Sequence, residues 1–274
     1  MERLRRAAVA GSWYPAESSR LSSAVDRYLA TAAVDPLPAP RAVIAPHAGL
    51  MYSGPVAGYS YLAARDARYA AIVLVGPSHF VPFRGVSVWP AGAWETPFGR
   101  MAVDEPLAAA ITAAAPELVV DRPDAHGREH SLELQLPFVA RLWPGARIVP
   151  LLMGSQTRDT AFALGDALAT AIADRVGEVL LVASTDLSHY EDAETAAAMD
   201  AVVTEHVQAF DPAGLMTALE REPHHACGGG PMVSVLHAAQ RGGATQARLL
   251  HHADSGDVSG DKSSVVGYMA AALW

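Results

Sequence analysis

Apolar residues along this chain fall into short unbroken runs separated by longer stretches of mixed polarity. RAVIAP (41–46), AAIVLVGP (70–77), ARIVPLLMG (146–154) and EVLLVASTD (178–186) are such runs, each ending at proline, glycine or a polar residue. Apolar side chains at successive positions point to both faces of a strand, so these runs predict strands buried on both sides. Between them lie helical patterns. One covers about 55–65, with Ser53 placed to cap it and Pro55 in its first turn. EPLAAAITAAA (105–115) and HSLELQLPFVARLW (130–143) predict two more, Pro137 kinking the second or sitting near its end. Further helices are expected at 157–174, 191–209 and 212–221, and another opens at the glycines of 228–230 and runs to Gln240. GVSVWPAGAWETPFGRMAV (85–103) alternates around glycine and proline, the pattern of antiparallel strands about a loop. ATQARLLHHAD (244–254) and SSVVGYMAAALW (263–274) close the chain as strands.

Alternating strands and helices predict an α/β fold: a layered central mixed sheet with helices on both faces and right-handed crossovers. The one candidate break, VDPLPAPR (34–41), precedes the first strand, so residues 1–274 are read as a single domain. Composition fits a globular protein, with 51% hydrophobic and 18% charged residues. The formal charge is −9, and Lys262 is the only lysine. An acidic chain without basic runs lacks the phosphate-neutralising surface of a nucleic-acid binder. No apolar run approaches the roughly 20 residues that span a bilayer, and the apolar part of MERLRRAAVAGSWYPAE is too short for a secretory signal. One cysteine allows no internal disulfide. These features lead us to expect a cytoplasmic protein, with neither nucleic acid nor membrane as partner.

The chemistry collects just beyond the strands. PHAG, GPSHF, STDLSH and HHADSGD each follow or end an apolar run, and ligands of open α/β sheets bind at the carboxyl ends of strands. Any one of these residues alone reads as a loop histidine or a capping aspartate. Four clusters at equivalent positions instead predict that His47, His79, Asp186 and His189 converge on one rim. Imidazole and carboxylate are the usual ligands of Zn, Fe and Mn. Cys227, in HHACGGGPM (224–232), has three readings: buried filler, nucleophile or metal ligand. The glycines would let backbone approach a ligand closely, and the N-terminus of the following helix would favour its thiolate. In REHSLELQLPF (128–138), Glu129 and His130 open a helix, with His130 and Glu133 on one face; His130 reads equally as a support for a site or as structural. Trp13 and Tyr14 could wall a pocket or anchor the N-terminal arm.

Eight collinear motifs carry a family likeness. AGSWYPA, APHAGLMYSGPVAG, GPSHF, ETPFG, EHSLELQLPF, STDLSHY, CGGGPM and SGDVSGDKSSVVGY resemble the Memo family, whose prokaryotic members are called AmmeMemoRadiSam system protein B. The resemblance implies the α/β fold of the catalytic subunit of class III extradiol ring-cleaving dioxygenases. It also implies a single divalent or redox-active metal at His47, His79 and Cys227, with Fe(II) first and Cu or Zn as alternatives. Asp186 and His189 fall on polar positions of the same pocket, His189 as acid/base and Asp186 as the group that orients it or stabilises its charge. Glu129, His130, Trp13, Tyr14 and Tyr52 are expected to bind substrate or support the ligands. The related dioxygenases use a carboxylate where this chain has a thiol, a softer donor that changes metal preference. The resulting expectation is a non-haem iron oxidoreductase acting on a small organic molecule, with a functional link to a radical-enzyme system. A non-catalytic iron or copper protein and a cysteine-nucleophile hydrolase or transferase are the alternatives.

Overall fold

The computed structural model describes residues 3–274. Its centre is four parallel strands in the order Ala42–Ala45, Val179–Ser184, Ala71–Pro77 and Arg147–Met153. Three of them are buried at every position, and the fourth at every position after Arg147. Burial at both odd and even positions means that both faces of the sheet are covered, as the unbroken apolar runs require.

Val265–Leu273 extends the sheet antiparallel to Ala42–Ala45, and pairs on its other side with Ala247–Asp254. The short strand His189–Glu191 joins the head of Val265–Leu273. At the opposite end, Val86–Val88 pairs antiparallel with Arg147–Met153 and parallel with Val119–Asp121. The helix Leu50–Ala64 packs on Ala42–Ala45 and on the two C-terminal strands, joined by Ser18–Thr31 and Leu136–Leu142. The helix Gly229–Arg241 packs on the central strands, backed by Arg158–Ala171 and Pro212–Arg221.

Four local expectations change. The helix expected at about 55–65 starts at Leu50, and Pro55 lies inside it. Ser53 does not cap it; its hydroxyl donates to the Ala48 carbonyl at 2.7 Å. The first-turn N–H of Leu50 is instead accepted by the carbonyl of Trp13, at 2.8 Å. That cap is tertiary, so no local pattern announces it. The HSLELQ stretch is not one helix: a 3₁₀ turn at Glu133–Gln135 leads into Leu136–Leu142, where Pro137 occupies the first turn. His130 and Glu133 therefore do not share a helical face. Of the 85–103 region, Ala93–Thr96 and Gly99–Ala102 form the expected antiparallel hairpin, in a small sheet with Leu4–Arg5, whereas Val86–Val88 belongs to the central sheet.

Candidate metal centre

The four parallel strands all end at one edge, and each delivers a polar residue there. His47 and His79 follow Ala45 and Pro77 by two positions, Asp186 follows Ser184 by two, and Gln156 follows Met153 by three. His130 comes from the turn before the 3₁₀ helix, and Cys227 from the head of Gly229–Arg241. One ring nitrogen from each of His47, His79 and His130 lies within 4.8 Å of the other two. The rings of His79 and His130 are stacked at 4.6 Å, and His47 meets them edge-on at 5.2 and 5.6 Å.

The far nitrogens of two rings are tied down, which fixes their tautomers. Ser184 Oγ donates its single proton to the Ser131 carbonyl at 2.6 Å and accepts from Gln135 Nε2 at 2.8 Å. Its 2.9 Å contact with His47 Nδ1 must therefore have the imidazole N–H as donor, leaving a lone pair on His47 Nε2. His79 Nδ1 meets Glu129 Oε1 at 2.9 Å, the carboxylate–histidine arrangement that presents the other nitrogen to a metal. Glu129 is fully buried. Burial alone would raise its carboxyl, but the hydrogen bond and charge of His79, with the backbone N–H groups of His79 and Ser131, bring it down to about 2. Burial pushes His47 well below the ordinary imidazole range, and burial lowers His130 to about 4 despite the Glu129 carboxylate. Both are neutral near pH 7, the form that binds metal. His130 Nδ1 is buried and has no hydrogen-bond partner. Glu129 Oε1 stands 3.5 Å from it, too far for a hydrogen bond, and three imidazoles with nitrogens this close together fit a cation.

Cys227 stands beside the cluster, in contact with His47 alone of the three histidines. Its Sγ lies 3.3 Å from His47 Nε2 and accepts from the Asp186 N–H at 3.3 Å. Thiolate and imidazole donors sit about 2.3 and 2.0 Å from a shared tetrahedral ion, which places them roughly 3.5 Å apart. The observed separation suits that geometry. Without a cation, the bare His47 Nε2 makes the thiol the donor across this contact. Burial, followed by the Asp186 charge, pushes the Cys227 thiol far above its usual range. Desolvation thus opposes the thiolate that the helix N-terminus was expected to favour. The glycines also have a different purpose from the one expected. A Cβ at Gly228 would come within 2.6 Å of the Ser184 carbonyl, and one at Gly230 within 2.6 Å of the Met153 sulfur. They let the helix head press against the strand ends.

Asp186 and His189 stand apart in role. The Asp186 carboxylate accepts from the backbone of His47 at 2.7 Å and of Ala48 at 3.2 Å, so it holds the His47 loop. Burial raises it to about 6, against those hydrogen bonds and the charge of His189. His189 takes its orientation elsewhere: Nδ1 donates to the Leu187 carbonyl at 2.8 Å, which leaves a lone pair on Nε2. With Cys227, His189 lines a cleft of about 550 Å³ that also includes Tyr190, Met199, Glu222 and His224.

Trp13 and Tyr14 divide the two roles foreseen for them. Trp13 lies 4.2 Å from the His130 ring and walls the cluster. Tyr14 is buried and donates to Glu133 at 2.6 Å, anchoring the arm. Tyr52 lies with Trp13 and Met51 along a neighbouring groove. Three neighbours of the cluster carry no role in the sequence reading, Ser184, Gln135 and Gln156, and Glu133 does not sit on the helical face expected for it. A polar signal existed for Gln135 and Glu133, which interrupt an apolar stretch yet are fully buried. Glu133 accepts from Arg5, from the N–H groups of Ala8 and Val9, and from Tyr14.

Comparison with known proteins finds relatives over nearly the whole chain. The family described as "Memo-like protein" matches residues 5–272. A "MEMO1 family protein" of Methanothermobacter thermautotrophicus is 37% identical, covering 97% of this chain and 98% of its own. One from Thermotoga maritima is 37% identical over 98% of this chain and 99% of its own, and one from Caldivirga maquilingensis is 39% identical over 85% and 82%. The fold is shared with an uncharacterized protein, JW3007, of Escherichia coli K12, at a TM-score of 0.54 and 18% identity, over 83% of this chain and 98% of that one. The chain belongs to the Memo-like family.

Proposed function

We propose that this protein holds one metal ion at His47, His79 and Cys227 and works as a non-haem iron oxidoreductase on a small organic substrate. The observation that carries the metal reading is the convergence of His47, His79 and His130 nitrogens within 4.8 Å, with the rings of His47 and His79 pinned from behind. Fe(II), when bound, supplies Lewis-acid and redox chemistry. The protein's own contributions follow from the geometry. Ser184 and Glu129 aim the two histidines. Trp13 and Phe80 flank His130, at 4.2 and 5.8 Å between rings, and exclude water from it. A substrate in the cleft beside Cys227 would meet His189 Nε2, whose free lone pair can accept a proton. The resemblance to class III extradiol dioxygenases supports the redox assignment, and no helix among the described residues is long and apolar enough to cross a membrane.

A second reading has its own support. If His130 joins His47, His79 and Cys227, four protein donors close a tetrahedral site and leave no position for substrate, as in a non-catalytic iron, copper or zinc protein. The raised position of the half-buried Cys227 thiol works against the third reading, a free cysteine nucleophile.

The test is anaerobic purification with elemental analysis of the wild type, His47→Ala and His79→Ala, followed by O2 uptake across a substrate panel. Near-stoichiometric metal in the wild type and its collapse in both folded variants is the expected result. Full metal content in both variants overturns the ligand assignment. Metal without any O2 uptake favours the closed site.

A further inference from the structure

Gln156 touches neither His47 nor His79, yet it grips the segment that carries Cys227. Its Nε2 donates to the Cys227 carbonyl at 2.7 Å, and its Oε1 accepts from the Gly230 N–H at 2.8 Å. One rigid amide thus spans the junction between the cysteine and the first turn of Gly229–Arg241. The neighbouring groups are held by the strand end opposite: Cys227 N–H donates to the Asp186 carbonyl at 3.2 Å, and Gly228 N–H to Thr185 Oγ1 at 2.9 Å. Gly230 has to be glycine partly because of this side chain, since a Cβ there would lie 2.9 Å from the Gln156 Cβ.

Folding does not require such a clamp. Gln156 and Cys227 both line a cleft of about 450 Å³, so water could satisfy the Cys227 carbonyl and the Gly230 N–H if the side chain were absent. What water could not supply is direction. Fixing the Cys227–Gly228 peptide plane, with the Cys227 N–H held by Asp186, fixes the Cα–Cβ vector of Cys227 and leaves only χ1 to place Sγ against His47 Nε2 and the Asp186 N–H. A glutamine is suited to this because its amide offers a donor and an acceptor in one plane.

We propose that Gln156 is a positioning residue, whose amide sets the Cys227 sulfur at bonding distance from the ion that His47 shares. The proposal rests on the reading of Cys227 as a metal ligand, and deepens it. Positioning groups one bond removed from a ligand typically carry 10–100-fold in metal affinity.

Gln156→Ala removes both hydrogen bonds. Gln156→Glu keeps an acceptor for Gly230 and loses the donor for Cys227, so it isolates the contact that matters and serves if the alanine variant folds poorly. Two readouts apply to each. The first is the rate of iodoacetamide alkylation of Cys227 in chelated, metal-free protein. The second is Co(II) titration, following the near-ultraviolet thiolate-to-cobalt absorption. Both variants are expected to keep the wild-type melting temperature closely. They should alkylate several-fold faster, bind Co(II) on the order of 10-fold more weakly, and show a diminished thiolate band. Wild-type alkylation rate, affinity and band in Gln156→Glu overturn the positioning role. A wild-type protein that takes up Co(II) without any thiolate band overturns the ligand reading of Cys227 instead, and leaves the alkylation rates to judge whether Gln156 orients the sulfur.

Discussion

The Cys227 sulfur lies 3.3 Å from His47 Nε2 across 180 residues of chain. His47 has its proton on Nδ1, so the contact is a thiol donating to a bare imidazole nitrogen. A cation binding between them has to displace that proton. Metal binding should therefore release about one proton per ion near pH 8, where imidazoles carry none to lose. Calorimetric titration in buffers of different ionisation enthalpy measures this directly. Cys227→Ser should bring the release to about zero and weaken binding. Zero release in the wild type would show that the three histidines bind without the thiol.

Glu129 gives the site a dependence on acid. Its carboxyl is held at about 2 rather than 4.5, so it contributes stability that is fully present above pH 4.5 and is lost as the pH falls through 2. Glu129→Gln should be clearly less stable than wild type in urea unfolding at neutral pH. The gap should narrow by about pH 3.5, inside that window. A gap that stays constant or widens towards acid would contradict the assigned direction.

Ser184 is the hub that sets the His47 tautomer. Ser184→Ala leaves the His47 Nδ1–H and the Ser131 carbonyl buried without this partner, which should cost about 1–3 kcal/mol. The freed ring can also turn, so metal affinity should fall on the order of 10–100-fold. Unchanged affinity in a destabilised variant would separate the network's structural role from any part in orienting His47.

Tyr190 sits beside His189 with φ at +66° and is 78% exposed. Left-handed backbone costs a tyrosine on the order of 1 kcal/mol that glycine does not pay. Tyr190→Gly removes little packing, so denaturant unfolding should show it as stable as wild type, or more so by about 1 kcal/mol. A loss of 2 kcal/mol or more would mean that the ring packs in a way its exposure denies.

Much of the architecture was legible because burial on both faces leaves a local mark. Ala71–Pro77 and Val179–Ser184 are apolar at nearly every position, and so short a run rich in valine, isoleucine and leucine suits a strand covered on both faces. The polar residues that follow them were legible for the same reason, since a strand end is where a polar side chain can first leave the core. Helix starts were read less well. Leu50 is capped by Trp13, and the 3₁₀ turn at Glu133–Gln135 is imposed by Glu133 holding the N-terminal arm and Gln135 reaching Ser184.

The sequence by itself determined which residues are chemical: His47, His79, His130, Asp186, His189 and Cys227 announce themselves by type, by position after apolar runs and by their motifs. Only the tertiary structure decided what each one touches. It set the Asp186 carboxylate on the His47 backbone, turned the glycines after Cys227 into packing contacts, and put the Cys227 sulfur against His47. Periodicity and motif are properties of neighbours in the chain. Desolvation, tautomer and ligand geometry depend on neighbours in space, and here those neighbours lie up to 180 residues apart.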